Sequence, residues 1–159
     1  MPSYNYIARG YNELYGEEQL NKLMEIKNHI KISKDTKILD LGCGTGISSS
    51  FDCFVVGVDP STKLLGQNIN PMRVLGAAES LPFKNNKFEF VISMTAIHNF
   101  SNIRKSINEI KRVGKRNFVI TVLKKSGRLG FIRKLIMENF KMEKIVEEDK
   151  DLIFFCKKP

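Results

Sequence analysis

The chain has 159 residues, of which 42% are hydrophobic, and a formal net charge of +9. This length and apolar content predict one domain with one core, and exclude a separate substrate domain beside it. The three cysteines form no C-x-x-C pair, which argues against a disulfide framework and against a structural zinc site. We therefore expect reduced cysteines and no bound metal.

The charge is concentrated in one part of the chain. Residues 103–145 contain thirteen Lys or Arg and three acids. Their net charge of +10 (13 minus 3) exceeds the +9 of the whole chain. The excess favours either an anionic partner such as RNA or a mere compositional bias, because the whole chain is rich in Lys, Asn and Ile. Residues 1–10 hold no apolar run typical of a signal peptide, and no stretch approaches the roughly 20 apolar residues of a membrane span. We expect a cytoplasmic protein.

The first half of the chain predicts a helix and then alternating strands and short helices. Apolar residues over 17–30 recur at helical spacing, which indicates an amphipathic helix before the first strand. Short apolar runs bounded by Gly, Pro or Asp predict buried parallel strands. The strands are expected at 38–41, 53–58 and 72–76, and short helices at 45–52 and 62–69.

The second half continues this alternation and ends in a hairpin. Strands are predicted at 88–93 and 118–123, and helices at 103–113 and 129–139. Two further strands, at 142–147 and 152–157, are joined by a tight polar turn. This order predicts an α/β protein whose sheet is mostly parallel with an antiparallel edge.

Three glycines, Gly42, Gly44 and Gly46, follow the first strand directly. A glycine-rich turn between a strand and a helix lets a ligand approach the backbone and the unpaired N–H groups of the helix. The dinucleotide fingerprint needs its third glycine one place later, where this chain has Ile47, and no Gly-Lys-Ser/Thr follows. The spacing therefore disfavours NAD and a phosphate-binding loop.

Asp59 ends the second strand, where a parallel topology brings it beside the glycine loop. A carboxylate at this place accepts hydrogen bonds from a ribose diol. The alternative interpretation is that Asp59, Pro60 and Ser61 form only a helix-capping turn.

Four segments, in order, resemble the class I methyltransferases. Residues 38–46 resemble their first motif and 56–61 their second, whereas 76–83 and 88–93 are similar to the third and fourth motifs of the small-molecule branch, which includes the ubiquinone and menaquinone methyltransferases. The resemblance implies a Rossmann-like three-layer αβα sandwich with a seven-stranded, mostly parallel sheet and an antiparallel C-terminal hairpin. It further implies a single methyltransferase domain over 1–159, with a helical lid (1–33), a cofactor-binding core (34–123) and a helix plus hairpin (124–159).

The resemblance also implies S-adenosylmethionine as cofactor. The glycines would then line its methionine part, Asp40 would face its amino group and Asp59 its ribose, with the remaining contacts expected from Tyr11, Ala78, Glu79, Ser93 and Thr95. The family usually has an Asp where this chain has Ala77, so a hydrogen bond to the adenine amine is either missing or supplied by Glu79. An ammonium and a sulfonium without phosphate suit acidic side chains.

The resemblance makes His98, after the fourth strand, the candidate general base. The alternative is a histidine that bonds backbone and orders its loop. Lys124, Lys125 and Arg128 follow the fifth strand and are predicted to rim the site, which favours an anionic acceptor, although a solvated charged face is the plainer interpretation.

We therefore predict an S-adenosylmethionine-dependent methyltransferase that transfers a methyl group directly to an unidentified small-molecule acceptor. Two alternatives remain open at this point. One is a non-catalytic S-adenosylmethionine-binding subunit of a partner enzyme, and the other is an RNA methyltransferase that uses the basic residues 103–145.

Overall fold

The computed structural model describes residues 4–159, with side chains described from residue 16 onward. It forms two compact units, of which the first extends to Lys31 and the second covers Ile32–Pro159. The first unit is a single helix, α1, over Tyr4–His29. The predicted helix at 17–30 therefore begins earlier than expected, because the glycines at 10 and 16 do not stop it, each costing only about 1 kcal/mol relative to alanine. The assignment of the whole chain to one domain stays a prediction.

The second unit is built on a seven-stranded sheet in the order β3-β2-β1-β4-β5-β7-β6. Strands β1 to β5 pair in parallel, and β7 runs antiparallel to both β5 and β6. The predicted mostly parallel sheet with a C-terminal antiparallel hairpin is confirmed. The strands are β1 (Lys37–Leu41), β2 (Phe54–Asp59), β3 (Arg73–Leu75), β4 (Phe88–Ser93), β5 (Gly114–Leu123), β6 (Lys141–Glu147) and β7 (Asp151–Lys157).

Two helices of this unit match their predicted bounds. Helix α3 covers Ile103–Val113 and buries Ile103, Ile107 and Ile110 against the core, as the spacing of these isoleucines predicts. Helix α4 covers Leu129–Asn139 and buries Ile132, Leu135 and Ile136 in the same way. Helix α3 connects the neighbouring strands β4 and β5, whereas α4 leads from β5 to β6, with β7 between them in the sheet. No helix within residues 4–159 is long and apolar enough to span a membrane.

The two helices that flank the glycine loop are shorter than predicted. Instead of a helix over 45–52 there is one 3-10 turn, Ile47–Ser49, because the serine hydroxyls bond a buried carboxylate rather than prolonging the helix. Helix α2 covers only Thr62–Gly66, beginning at the cap Ser61, whose hydroxyl accepts the N–H of Leu64. The remainder of each segment is irregular, and the two segments follow the carboxyl ends of β1 and β2.

Strand β5 begins four residues before its predicted start. Gly114 pairs with Phe88, so the chain passes from α3 directly into the sheet. A Cβ at Gly114 would lie 2.3 Å from the ring of Phe118, which means that this glycine makes room for a fully buried aromatic side chain. The glycine marks a close approach rather than a turn.

The sheet order places the site. Successive strands run outward in one direction from β1 to β3 and in the other from β4 onward, so the order reverses between β1 and β4. Ligands of open α/β sheets bind outside the carboxyl ends of the strands at such a reversal. The glycine loop follows β1 and His98 follows β4, so both lie at this edge.

Candidate functional site

The glycine loop has a backbone that only glycine adopts readily. Gly42, Gly44 and Gly46 have φ of 80°, 51° and 93°, in the left-handed region. The N–H groups of Gly42 and Cys43 both donate to the carbonyl of Val58, at 2.7 and 3.1 Å, and tie the loop to the end of β2. The loop is therefore a fixed backbone surface rather than a flexible linker.

Two of the glycines are also required by close contacts. A Cβ on Gly42 would lie 2.5 Å from Cβ of Ala96, in the segment after β4. A Cβ on Gly46 would lie 2.6 Å from Oδ1 of Asn68, in the segment after α2. The loop is thus enclosed by the segments that follow β4 and α2.

Asp59 holds the loop from the side. Its Oδ2 accepts the N–H of Gly44 and its Oδ1 accepts the N–H of Ser61, both at 2.9 Å. The capping-turn interpretation thus accounts for one of its oxygens, and the other binds the glycine loop. Each oxygen keeps acceptor capacity for a second donor, so contact with a ribose diol stays compatible with this geometry.

Asp40 lies beneath the loop and is fully buried. Its Oδ2 accepts the hydroxyls of Ser48 and Ser49, both at 2.6 Å, whereas its Oδ1 has no partner among the described residues. Burial raises the pKa of this carboxyl to about 6, the nearby charge of Asp59 adds to the rise, and the two serine hydroxyls oppose it. The buried, unpaired oxygen is suited to a cationic hydrogen-bond donor.

Sequence reasoning missed Asn68, which is also buried. Its Nδ2 donates to the carbonyl of Gly44 at 3.0 Å, and its Oδ1 accepts the N–H of Asn70 at 2.8 Å. Its own carbonyl accepts the guanidinium of Arg73, in β3. Asn68 therefore joins the glycine loop to the segment between α2 and β3. An asparagine just after a short helix gives no sequence signal for this role, because asparagine is common in any turn.

The predicted adenine contacts follow β3. Ala78 is buried, Ala77 is exposed, and Glu79 is partly buried. Oε1 of Glu79 accepts the N–H of Asn102, the N-cap residue of α3, at 3.0 Å. Oε1 of Glu79 therefore has a role in the fold. The prediction that Glu79 supplies the hydrogen bond of the acid missing at Ala77 now depends on Oε2 of Glu79.

The segment after β4 contains the remaining predicted residues. Ser93 is fully buried and its hydroxyl has no partner among the described residues. Thr95 has a φ of 52° and bonds Thr121 and Asp151. His98 lies in a 3-10 turn, Ile97–Asn99, with its ring partly buried. The segment is thus held by hydrogen bonds to other strands, and its Ala96 lies against Gly42 of the glycine loop.

The cations predicted to rim the site are mostly engaged elsewhere. The guanidinium of Arg128 donates to the carbonyls of His98 and Phe100, each at 3.1 Å, and so orders the histidine segment. The ammonium of Lys124 pairs with Glu147 at 2.8 Å in the terminal hairpin. Lys125 is exposed, so the expectation of an anionic acceptor now rests on this one lysine.

Cys43, inside the loop, is not a nucleophile. Its thiol is buried against Gly57, where a Cβ would lie 2.7 Å from the sulfur. Burial, with the charges of Asp40 and Asp59, raises the pKa of the thiol to about 12. The thiol is thus protonated at neutral pH. The side chain of Tyr11 lies outside the described residues, and its cofactor contact stays a prediction.

Comparison with known proteins decides the family. A family model described as a methyltransferase domain matches residues 39–129, which is more than half of the chain. The chain belongs to this methyltransferase family. The matched region contains the glycine loop, Asp59, Asn68 and His98, and ends at the start of α4.

Of two individual relatives, one has no assigned function and the other is named as a methyltransferase. An uncharacterised protein of Methanocaldococcus jannaschii is 33% identical over 150 residues, 89% of this chain and 58% of that protein. The tRNA (carboxymethyluridine(34)-5-O)-methyltransferase of Schizosaccharomyces pombe is 30% identical over 58% of this chain and 46% of its own length. The chain thus spans about half the length of these curated relatives.

A solved structure shares the fold. The crystal structure of a SAM-dependent methyltransferase from Aquifex aeolicus matches with a TM-score of 0.75 at 14% identity, over 89% of this chain and 92% of that one. At this identity the likeness concerns the Rossmann-like fold alone.

The site of this methyltransferase domain fits S-adenosylmethionine on its own chemistry. The unpaired Oδ1 of buried Asp40 is an acceptor suited to an ammonium group. At Gly44 an added Cβ would meet only Cδ1 of Leu64, at 3.8 Å, so the backbone of this glycine is open to the approach of a ligand. Carboxylates rather than lysines hold the loop, which suits a cationic, phosphate-free nucleoside.

Proposed function

We propose that this methyltransferase domain binds S-adenosylmethionine at the carboxyl edge of β1, β2 and β4 and transfers its methyl group directly to an acceptor. The observation that carries the proposal is the placement of two carboxylates, Asp40 beneath the glycine loop and Asp59 beside it. Membership of the methyltransferase family supports it.

Each group of site residues would contact a different part of the cofactor. The glycine loop would meet the methionine part, with Asp40 receiving the ammonium group. Asp59 would accept the ribose hydroxyls with the acceptor capacity left on its oxygens. The adenine edge would meet Ala78 and Glu79, and the polar groups of Ser93 and Thr95 would complete the contacts after β4.

When bound, the cofactor supplies an electrophilic methyl group on a sulfonium. The protein has to hold an acceptor atom in line about 3 Å from that methyl, and alignment alone accounts for much of the rate of such a displacement. His98 follows β4 at the same edge, where its ring would take the proton of an acceptor that has one to lose. Arg128 binds the carbonyls of His98 and Phe100, and so helps to fix the backbone that carries this ring.

Binding provides the direct test. Calorimetric titration of the wild-type chain with S-adenosylmethionine should give saturable binding, and titration with NAD should give none. If the wild-type chain does not bind S-adenosylmethionine, the proposal is wrong.

Turnover of the cofactor by the isolated chain, measured as release of S-adenosylhomocysteine, would exclude the alternative of a non-catalytic subunit. A panel of small acids and their neutral analogues would then test the anionic acceptor, with Lys125→Glu as the matched variant.

A second candidate function, methylation of RNA, is favoured by a specific surface. Helices α3 and α4 contact each other, and Arg104 of α3 lies over the ring of Phe131 of α4, with 5.9 Å from its guanidinium carbon to the ring centre. Phe131 is 45% exposed, and both helices carry further exposed cations, Lys105 on α3 and Arg133 on α4. Exposed aromatic rings among cations suit the bases and phosphates of RNA, and a tRNA methyltransferase is among the relatives.

Salt dependence tests this second candidate. If the α3–α4 surface binds RNA, the logarithm of affinity for a transfer RNA falls linearly with the logarithm of salt concentration, by about 0.7–0.9 per phosphate contacted. Arg104→Glu with Arg133→Glu should abolish binding. The control is Lys34→Glu with Lys87→Glu, which changes the net charge equally at exposed positions elsewhere. An equal loss of RNA affinity in both double variants would show non-specific electrostatic attraction. The α3–α4 surface would then be excluded as the RNA-binding site.

A further inference from the structure

Thr95, the second residue after β4, has an unfavourable backbone conformation. Thr95 has a φ of 52°, in the left-handed region, where β-branched residues are rare because their side chain crowds the backbone. Such a conformation persists only when surrounding contacts hold it. The question is therefore which contacts hold Thr95 and what its conformation positions.

Two fully buried residues from other strands hold it. The N–H of Thr95 donates to Oγ1 of Thr121, in β5, at 2.7 Å, and the hydroxyl of Thr95 donates to Oδ2 of Asp151, the first residue of β7, at 2.8 Å. The two threonine hydroxyl oxygens lie 3.2 Å apart. Thr121 and Asp151 are both inaccessible to solvent. In such surroundings each hydrogen bond is strong, and its loss leaves a buried group without a partner.

The conformation of Thr95 in turn sets the position of its neighbours. Ala96 follows directly. Its Cβ would lie only 2.5 Å from a Cβ added to Gly42, so it packs against this glycine. The 3-10 turn with His98 follows next. A change at Thr95 would therefore move the wall of the glycine loop and the histidine together.

We propose that Thr121 and Asp151 are positioning residues of the cofactor site, which act through Thr95 by holding Ala96 against Gly42. The inference rests on the proposed function and extends it to the terminal hairpin, since Asp151 lies outside residues 39–129. The hairpin thereby contributes to cofactor binding without touching the cofactor.

Matched variants of Thr121 test this role. Thr121→Val keeps the size of the side chain and removes the acceptor for the N–H of Thr95, whereas Thr121→Ser keeps the hydroxyl. The control is Thr36→Val, because Thr36 is also buried and its hydroxyl also accepts a backbone N–H, that of Ser33 at 2.9 Å, in the turn before β1. The readouts are the dissociation constant of S-adenosylmethionine by calorimetry and the urea unfolding midpoint of the same samples.

Asp151→Ala removes the acceptor for the hydroxyl of Thr95. We expect Thr121→Val and Asp151→Ala to weaken S-adenosylmethionine binding by about 3- to 30-fold, the usual range for changes along a coupling network. Thr121→Ser should restore wild-type affinity, and Thr36→Val should lower the unfolding midpoint with unchanged affinity. Wild-type affinity in a folded Thr121→Val protein would overturn the inference, as would equal loss in Thr36→Val. If Thr121→Val does not fold, the affinities of Asp151→Ala and Thr121→Ser provide the same comparison. Absence of binding in the wild type would instead overturn the proposed function.

Discussion

The carboxylate of Asp59 accepts the backbone N–H of Gly44 at 2.9 Å, which joins the end of β2 to the loop that follows β1. The same carboxylate accepts the N–H of Ser61 at the start of α2. The carboxylate of Asp59 therefore stabilises the conformation of the glycine loop even when no ligand is bound.

The first prediction follows from this contact. Asp59→Asn replaces one acceptor oxygen by an N–H donor, which then faces the N–H of Gly44 or of Ser61. We expect S-adenosylmethionine to bind about 10- to 100-fold more weakly, since hydrogen bonds to charged groups contribute about 1.5–3 kcal/mol. Calorimetry measures the change, with Asp35→Asn, an exposed aspartate before β1, as the control that keeps wild-type affinity. Equal affinity of Asp59→Asn and wild type would contradict the prediction.

The second prediction concerns Asn68. Asn68→Ala leaves the carbonyl of Gly44 without its 3.0 Å donor in a buried place. We expect the free energy of unfolding to fall by about 1–3 kcal/mol, and the affinity for S-adenosylmethionine to fall with it. Asn70→Ala is the matched control, because Asn70 bonds the carbonyl of Val55 but not the glycine loop. Loss of affinity in both variants alike would show that the effect is not specific to the loop.

The third prediction tests the contact between Gly42 and Ala96. Gly42→Ala adds a methyl group 2.5 Å from Cβ of Ala96 at a φ of 80°, so both the clash and the backbone strain oppose folding. We expect a loss of at least about 1–3 kcal/mol in unfolding free energy, measured by urea titration. Ala96→Gly in the same chain should recover the part due to the clash. Gly130→Ala, in α4 where the new methyl meets nothing within 4 Å, should instead stabilise the chain by up to about 1 kcal/mol.

The fourth prediction is the pH dependence of stability due to Asp40. Its pKa is raised from 3.8 to about 6 in the folded chain, mainly by burial. The folded state therefore holds the proton more tightly than the unfolded state. The stabilisation is present in full below about pH 4 and is lost as the pH rises through about 6, by an amount on the order of 3 kcal/mol. Urea unfolding of Asp40→Asn at each pH should lack this fall. Parallel curves for the two proteins would contradict it.

The fifth prediction links the same group to the cofactor. An ammonium group beside Asp40 stabilises the ionised carboxylate, so binding of S-adenosylmethionine should release a proton below about pH 6 and become tighter as the pH rises through that value. Calorimetry at pH 5.5 in two buffers of different ionisation enthalpy measures the released proton. If the binding enthalpy is the same in both buffers, Asp40 does not meet the ammonium group.

Elements with a strong repeating pattern were predictable to the residue. Strand β4 and helices α3 and α4 have the expected bounds because long apolar patterns and clear breaks define them. The positions of the glycine loop and of Asp59 were also predictable, because the loop follows β1 directly and Asp59 ends β2. The length of the flanking helices was not, because it depends on where single side chains such as Ser48 form hydrogen bonds.

The residues that sequence reasoning missed act across the fold. Asn68 bonds a carbonyl 24 positions away, and Asp151 bonds a hydroxyl 56 positions away. No local pattern marks either residue, since each contact exists only once the strands have assembled. Arg128 was expected to face a methyl acceptor, yet it binds two carbonyls of the segment after β4. A guanidinium has five N–H donors, which can bind carbonyls that a loop leaves without a backbone partner.

The burial of Cys43 makes the loop chemically inert. A thiol that stays protonated at neutral pH reacts slowly with alkylating agents and peroxides. Cys156 is equally buried, and its pKa is also raised to about 12. Cys53, at the start of β2, is partly exposed, so a maleimide fluorophore would attach there first. The chain thus carries a natural labelling position one strand length from the glycine loop, whose own thiol is buried.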